Sequence, residues 1–260
     1  MAKNKKAQVI SKSWRLIFLL SYVTLACLLV YWWRPVYLVS IIIVLVPPAL
    51  VNFWWLKQSR AKILIFSGLT TLLFAPPVEI AARLANAWDV QSVLPRLFGI
   101  APLENLLFAF LNFFWVLSFY EYFVDRDTKA KISPYFRFVV LGFCLLFLLA
   151  LSVFFFDRGL LAVNYHVLAL IILLVPGIIL FSLKPKLLAK TWLTTLFFAV
   201  VFFMYELISL VIGSWWWPGE YLLPISLAGQ VFPLDDVIIW YFLSTPVLIG
   251  GYEFFVDDGK

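Results

Sequence analysis

Charge is what this chain has least of. Only 13% of its 260 residues are charged, where a soluble domain keeps roughly a quarter. Histidine occurs once and cysteine twice. Cys27 and Cys144 both fall inside apolar runs, so neither a disulfide framework nor a thiolate metal site is expected. A lone His166 makes no histidine cluster for zinc. Also missing are a GxGxxG turn after a strand, a Walker phosphate loop and a DDxxD pair for magnesium-diphosphate. No Lys lies deep in the last apolar run, which argues against a retinal Schiff base. The chain is therefore expected to use no cofactor and no metal. Its net charge of +6 sits in short loops between apolar runs and forms no patch for nucleic acid.

Apolar length is what it has in abundance. The composition is 64% hydrophobic, with 12 Trp and 27 Phe. Eight runs can be bracketed: Leu16–Trp33, Val36–Leu56, Ile63–Leu84, Pro102–Val124, Tyr135–Phe156, Leu160–Leu183, Trp192–Ile212 and Pro233–Val256. Each can cross about 30 Å of hydrocarbon as a helix, and a lipid-exposed backbone must bond to itself. No cleavable signal peptide is expected, since the first run leads into Arg34-Pro35 without a small-residue cleavage site. With the N-terminus inside, sixteen Lys and Arg fall in inner segments, among them Lys62, Lys129, Lys190 and Lys260, against only Arg34, Arg83, Arg96 and Arg158 outside. This positive-inside bias predicts an all-α integral membrane protein with both termini cytoplasmic, a multi-pass protein of a prokaryotic plasma membrane.

The runs fall into two sets of four, residues 1–131 and 132–260, and an even number per set makes the repeats parallel. Three anchors recur. Glu79 with Trp88 matches Glu206 with Trp215 at the same spacing. Pro102-Leu103-Glu104 matches Pro233-Leu234-Asp235. Tyr120-Glu121-Tyr122-Phe123-Val124-Asp125 matches Tyr252-Glu253-Phe254-Phe255-Val256-Asp257. The interval from proline to tyrosine is one residue longer in the second copy, so Glu104 aligns with Asp235 from one side and Asp236 from the other.

An acid at the mouth of an apolar helix has two readings. It caps the helix and meets the positive end of its dipole, or it is functional, as ionisable residues inside spans are by default. Here the element is doubled, and each copy follows another acid, Glu79 or Glu206, on the preceding span. All five acids should lie in the outer part of the membrane, where carboxylates sharing a dry site cannot all ionise. One that keeps its proton becomes a general acid. Phe108, Trp88, Trp115, Trp215, Trp240 and their neighbours would stabilise a carbocation through their faces, or form an ordinary interfacial belt. Asn105 could orient but not protonate. His166, with Asn164 and Tyr165, reads as a hydrogen-bonded packing residue. Glu121 and Glu253 lie about 25 Å below the outer acids and read as interfacial salt-bridge partners of the basic loops.

The doubled pattern resembles the lycopene cyclase domain family: an acid late in one span, Trp beyond it, then Gly-x-x-Pro-x-acid opening the next, with one more residue between Gly229 and Pro233 in the second copy. The carrying stretches are Glu79–Trp88 with Gly99–Glu104, and Glu206–Trp215 with Gly229–Asp236. The resemblance implies a cofactor-free isomerase that cyclises the ψ-end of lycopene or a related linear carotenoid or polyprenoid hydrocarbon. It implies Glu104, Asp235 and Asp236 as proton donor and acceptor, with Glu79 and Glu206 tuning them, and Asn105 and the aromatics around the substrate. The family pattern writes Pro-x-Glu-Glu, whereas this chain has Glu104-Asn105 and Asp235-Asp236. The rival expectation is a non-enzymatic transporter or polyprenoid-binding protein, with helix breaks at Pro47-Pro48, Pro76-Pro77 and Pro246.

Overall fold

The computed structural model describes residues 2–127 and 131–257; Lys129 and Lys260, counted above among the inner cations, lie outside the described residues. Among the described residues, eight helices are long and apolar enough to cross a membrane. They are α1 (Ala2–Trp33, apolar from Lys12), α2 (Tyr37–Trp55), α3 (Arg60–Leu84), α4 (Leu103–Asp125), α5 (Phe136–Leu161), α6 (Tyr165–Leu183), α7 (Pro185–Val211) and α8 (Leu234–Phe255). Two ends differ from the sequence reading. Arg158–Leu161 is a 3-10 turn that prolongs α5, so the sixth membrane-length helix opens at Tyr165, where the Asn164 side chain accepts from the His166 N–H. The seventh opens at Pro185, well before Trp192, because a proline costs no hydrogen bond in a first turn.

None of the interior prolines breaks its helix. Pro47 and Pro48 lie inside α2. Widened π turns occupy Thr70–Phe74, Leu170–Leu174 and Val237–Leu243, just ahead of Pro76-Pro77, Pro176 and Pro246. A proline ring crowds the carbonyl four residues earlier and cannot bond to it. Those carbonyls, on Leu72, Leu73, Ile172 and Phe242, all fall within the widened turns, which let the helix continue past the lost bond.

The core is aromatic. α2 packs on α4, α1 on α2 and α7, and α7 on α8. At the centre Trp115 and Phe119 of α4 interlock with Phe197 and Phe198 of α7, ring centroids 4.3 to 6.0 Å apart. α6 and α8 meet closely at Gly177, where an added Cβ would lie 3.0 Å from Val247 Cγ2. In α5, by contrast, no residue of Phe136–Asp157 is buried.

One end of the bundle is not helical. β1 (Asp89–Val90) pairs antiparallel with β4 (Trp215–Trp216), tying the α3–α4 connection to the α7–α8 connection. Each connection then forms a hairpin: β2 (Arg96–Leu97) with β3 (Ala101–Pro102), and β5 (Pro224–Leu227) with β6 (Gln230–Pro233). These strands of two to four residues are too short to show a period in sequence. Phe98-Gly99 and Ala228-Gly229 turn the two hairpins with the same left-handed pair of φ angles, 52° and 74°. Positive φ at two successive positions is the primed-turn geometry, and glycine takes it without a Cβ clash. Gly99-x-x-Pro102-x-Glu104 and Gly229-x-x-x-Pro233-x-Asp235 are thus each a hairpin running straight into a helix start.

At the opposite end the repeated Tyr-Glu pairs cross. Tyr252 OH donates to Glu121 Oε1 at 2.5 Å, and Tyr120 OH donates to Glu253. Lys62 lies 3.2 Å from Glu121 and 2.9 Å from Asp257, while Lys190 lies 3.1 Å from Glu253 and 2.5 Å from Asp125. Each lysine therefore joins a glutamate of its own half to an aspartate of the other. Glu121, Glu253 and Lys62 are fully buried, so they are not the surface pairs and loop cation the sequence suggested. Packing of α3, α4 and α8 encloses them.

Candidate active site

At the hairpin end the helix-mouth acids turn back toward the connections. Glu104 accepts from the backbone N–H groups of Val93 and Leu94, each at 2.7 Å, and from Ser92 Oγ at 2.9 Å. Asp235 accepts from the Leu222 N–H at 3.2 Å, and its Oδ2 lies 2.7 Å from His166 Nε2. Both acids hold the chain just ahead of their own hairpin, so Glu104 corresponds to Asp235 and Asn105 to Asp236. The extra residue of the second copy is taken up in the π turn Val237–Leu243, since a π turn accommodates a one-residue insertion.

Between α3 and α8 lies a cavity of ≈ 560 Å³ with a mainly apolar lining. Glu79, Asn105, Glu206 and Asp236 reach it from four different helices, together with Asn112 and Tyr241. Three of its widened turns contribute wall: Thr70 and Phe74, Ile171 and Ile172, Trp240 and Tyr241. Phe138, Leu146 and Ile171 line it while also being exposed on the outside of the bundle. The cavity thus reaches the lateral surface beside α5 and α6.

The three cavity carboxyls have unequal surroundings. Glu79 is fully engaged: Arg83 Nε donates at 2.7 Å, Asn105 Nδ2 at 2.8 Å and Trp88 Nε1 at 3.0 Å. Arg83, counted as a loop cation, is buried and also pairs with Asp89. The Glu79–Arg83 spacing of one helical turn was the signal for it. Glu206 accepts from Trp217 Nε1 at 3.0 Å and Asp236 from Tyr165 OH at 2.7 Å. Among the described residues no Lys, Arg or His forms an ion pair with either. Trp88 forms the hub of an aromatic box over them. It stacks on Trp215 at 6.5 Å and meets Trp217 and Trp240 edge-on at 6.2 and 5.7 Å. Phe108 joins at 6.1 Å from Trp215.

Of the residues singled out in the sequence, Glu79, Trp88, Asn105, Phe108, Glu206, Trp215, Asp236 and Trp240 are brought together here. Glu104 and Asp235 face the connections instead, and Trp115 is locked in the aromatic core with no share of the cavity wall. Tyr165 and Tyr221 are partners the acid motifs did not reveal. Tyr221 OH donates to the Ala87 carbonyl, and its ring lies 5.4 Å from Tyr165 and 5.5 Å from Trp217. Burial pushes its phenol up, reinforced by Asp236, Asp235 and Glu206 nearby. Nothing in the local sequence joins residue 165 or 221 to residue 236; only the tertiary packing of helices and connections does. For a metal, Glu121, Asp125 and Asp257 offer oxygens within 4.8 Å of one another, but Lys62 and Lys190 already face them.

No protein family, curated protein sequence or solved structure matches the chain. The chemistry open to the site is read from its geometry: an apolar chamber, entered from the side, with two carboxyls lacking a cationic partner under four indoles.

Proposed function

We propose that the chain is an intramembrane cyclase that closes a ring at the end of a linear polyprene, lycopene or a related carotenoid. The observation that carries this reading is the placement of Glu206 and Asp236 on the wall of an apolar ≈ 560 Å³ cavity inside the Trp88–Trp215–Trp217–Trp240 box. Asp236 gives its proton to a terminal C=C bond. The resulting tertiary cation is attacked by the next suitably placed double bond, forming the ring C–C bond. Glu206 then takes a proton from the ring cation and restores a C=C bond. Atoms and electrons balance without an oxidant, as in any isomerisation. Indole faces support the passing cation and offer no lone pair that would trap it. Glu79, bound by Arg83, Asn105 and Trp88, sets the shape of the chamber, and Glu104 and Asp235 pin the hairpins that close it.

In this reading the chain is two parallel four-helix repeats, residues 1–131 and 132–260, with both termini on the cytoplasmic face of a prokaryotic plasma membrane. The matched hairpins, the crossed Tyr–Glu pairs and the two bridging lysines support that arrangement.

Expression in a lycopene-accumulating bacterium tests the activity. Cyclic carotenoid should appear with the native chain and be lost in D236N and E206Q, both still membrane-inserted. Linear lycopene left untouched by well-expressed native protein would sink the cyclase and favour a polyprenoid-binding or transport role for the same cavity.

A further inference from the structure

The two acids that hold the hairpins differ in one respect. Glu104 accepts from Ser92, Val93 and Leu94, none of which carries a transferable charge. Asp235 instead faces an imidazole, His166 Nε2, at 2.7 Å. The His166 side chain is 27% exposed and that of Asp235 8%. Asp235 Oδ2 takes both His166 and the Leu222 N–H, while its Oδ1 is buried with no hydrogen-bond partner among the described residues. One residue along on each helix, Tyr165 and Asp236 form a second, buried pair, and Asp236 lines the cavity. Consecutive residues of α6 thus clasp consecutive residues of α8, one pair holding a partly exposed imidazole and the other the cavity carboxyl. Asn164, accepting from the His166 N–H at 2.9 Å, fixes the start of α6 and with it the clasp.

We propose that His166 and Asp235 form the proton port of the cavity, recharging Asp236 from outside; the use made of that proton rests on the cyclase reading. A proton arriving from water on the imidazole passes from Nε2 to Asp235. The Asp235 carboxylic acid turns about its Cβ–Cγ bond, so that the protonated oxygen takes the Oδ1 position, and hands the proton to the Asp236 carboxylate; the neutral imidazole is reprotonated from water. Nothing is oxidised or reduced. Each turnover leaves Asp236's proton in a C–H bond and a different proton on Glu206; Glu206 gives that proton up through the same port, so one proton enters and one leaves per turnover. His166 touches no substrate and acts through Asp235, so it is a positioning residue and a relay. The first half has no counterpart, since Asn105 cannot carry a proton and Glu104 has no titratable neighbour in its hydrogen-bond set.

Infrared spectroscopy of the full chain in lipid vesicles transferred to D₂O tests the port without requiring turnover. The carboxylic O–H/O–D shift of Asp236 is identified as the band lost in D236N. The native chain should exchange it quickly, and H166A should slow that exchange about a hundredfold or more, the scale of a lost general acid–base group. Added imidazole should restore the H166A rate, and H166Q should remain slow without it. Unchanged exchange in H166A, slowing that imidazole does not relieve, or no band sensitive to D236N would each overturn the port. Fast, His166-dependent exchange in a chain that cyclises nothing would uphold the port and reject the cyclase.

Discussion

A carboxylate in the first turn of a helix can serve the helix, the loop before it or a ligand, and Glu104 serves the loop. Three donors converge on it from residues 92–94. E104Q exchanges one acceptor oxygen for a donor and leaves part of that set unmet. The expected cost is about 1–3 kcal/mol, seen as a lowered thermal unfolding midpoint in detergent, while the folded fraction keeps the activity proposed above. Asp127 works in the same way at the other end. Burial alone would raise its pKa, but hydrogen bonds from Ser59 Oγ and the N–H groups of Lys57, Ser59 and Gln58 outweigh it and hold the carboxyl below its usual range. A pKa depressed by folding gives stability that is complete above the unfolded value of about 3.9. That stability is lost as pH falls through the lower folded value. A series of unfolding midpoints against pH should show this acid-sensitive component in the native chain and not in D127N, which should be less stable at neutral pH.

At the scale of elements, each helix could be read from its own composition, but what its ends do could not. The repeated Tyr-Glu-x-Phe-Val-Asp ends of α4 and α8 look alike in sequence, and the sequence places them at a surface. In the fold each tyrosine bonds the other copy's glutamate, and Lys62 and Lys190 bridge between copies. Removing one partner from a buried charge cluster leaves the rest uncompensated, at a cost of about 3–5 kcal/mol. K62M should therefore lower the unfolding midpoint steeply, and adding D257N should recover part of the loss. A double change that recovers nothing would mean that Lys62 and Asp257 do not interact in the native chain. The prolines teach the same lesson: as sequence they look like breaks, whereas three of the sites sit behind widened turns that keep the helix whole and form cavity wall.

For the molecule as a whole, many of the ties between the halves are non-covalent: the β1–β4 pairing, the crossed Tyr–Glu bonds, the Lys bridges and the aromatic core of α4 with α7. Residues 1–131 and 132–260 co-expressed as separate chains should copurify in mild detergent. Adding K62M to one piece should weaken recovery of the other. Halves that insert but never copurify would show that the covalent link supplies the association.

The sequence by itself determined the number and approximate placement of the membrane-length helices, because an apolar run of about 20 residues in hydrocarbon has one stable backbone solution. It also determined that one helix mouth is built twice. Which acid enters the cavity was decided only by tertiary structure. Neighbours on a helix point about 100° apart, so Glu104 and Asn105, or Asp235 and Asp236, cannot share a direction. The hairpins claim the first of each pair, and the packing of α3 through α8 turns the second inward. The same packing brings Tyr165 and His166 to the acids of α8 across some seventy residues of chain, a meeting that no local spacing encodes.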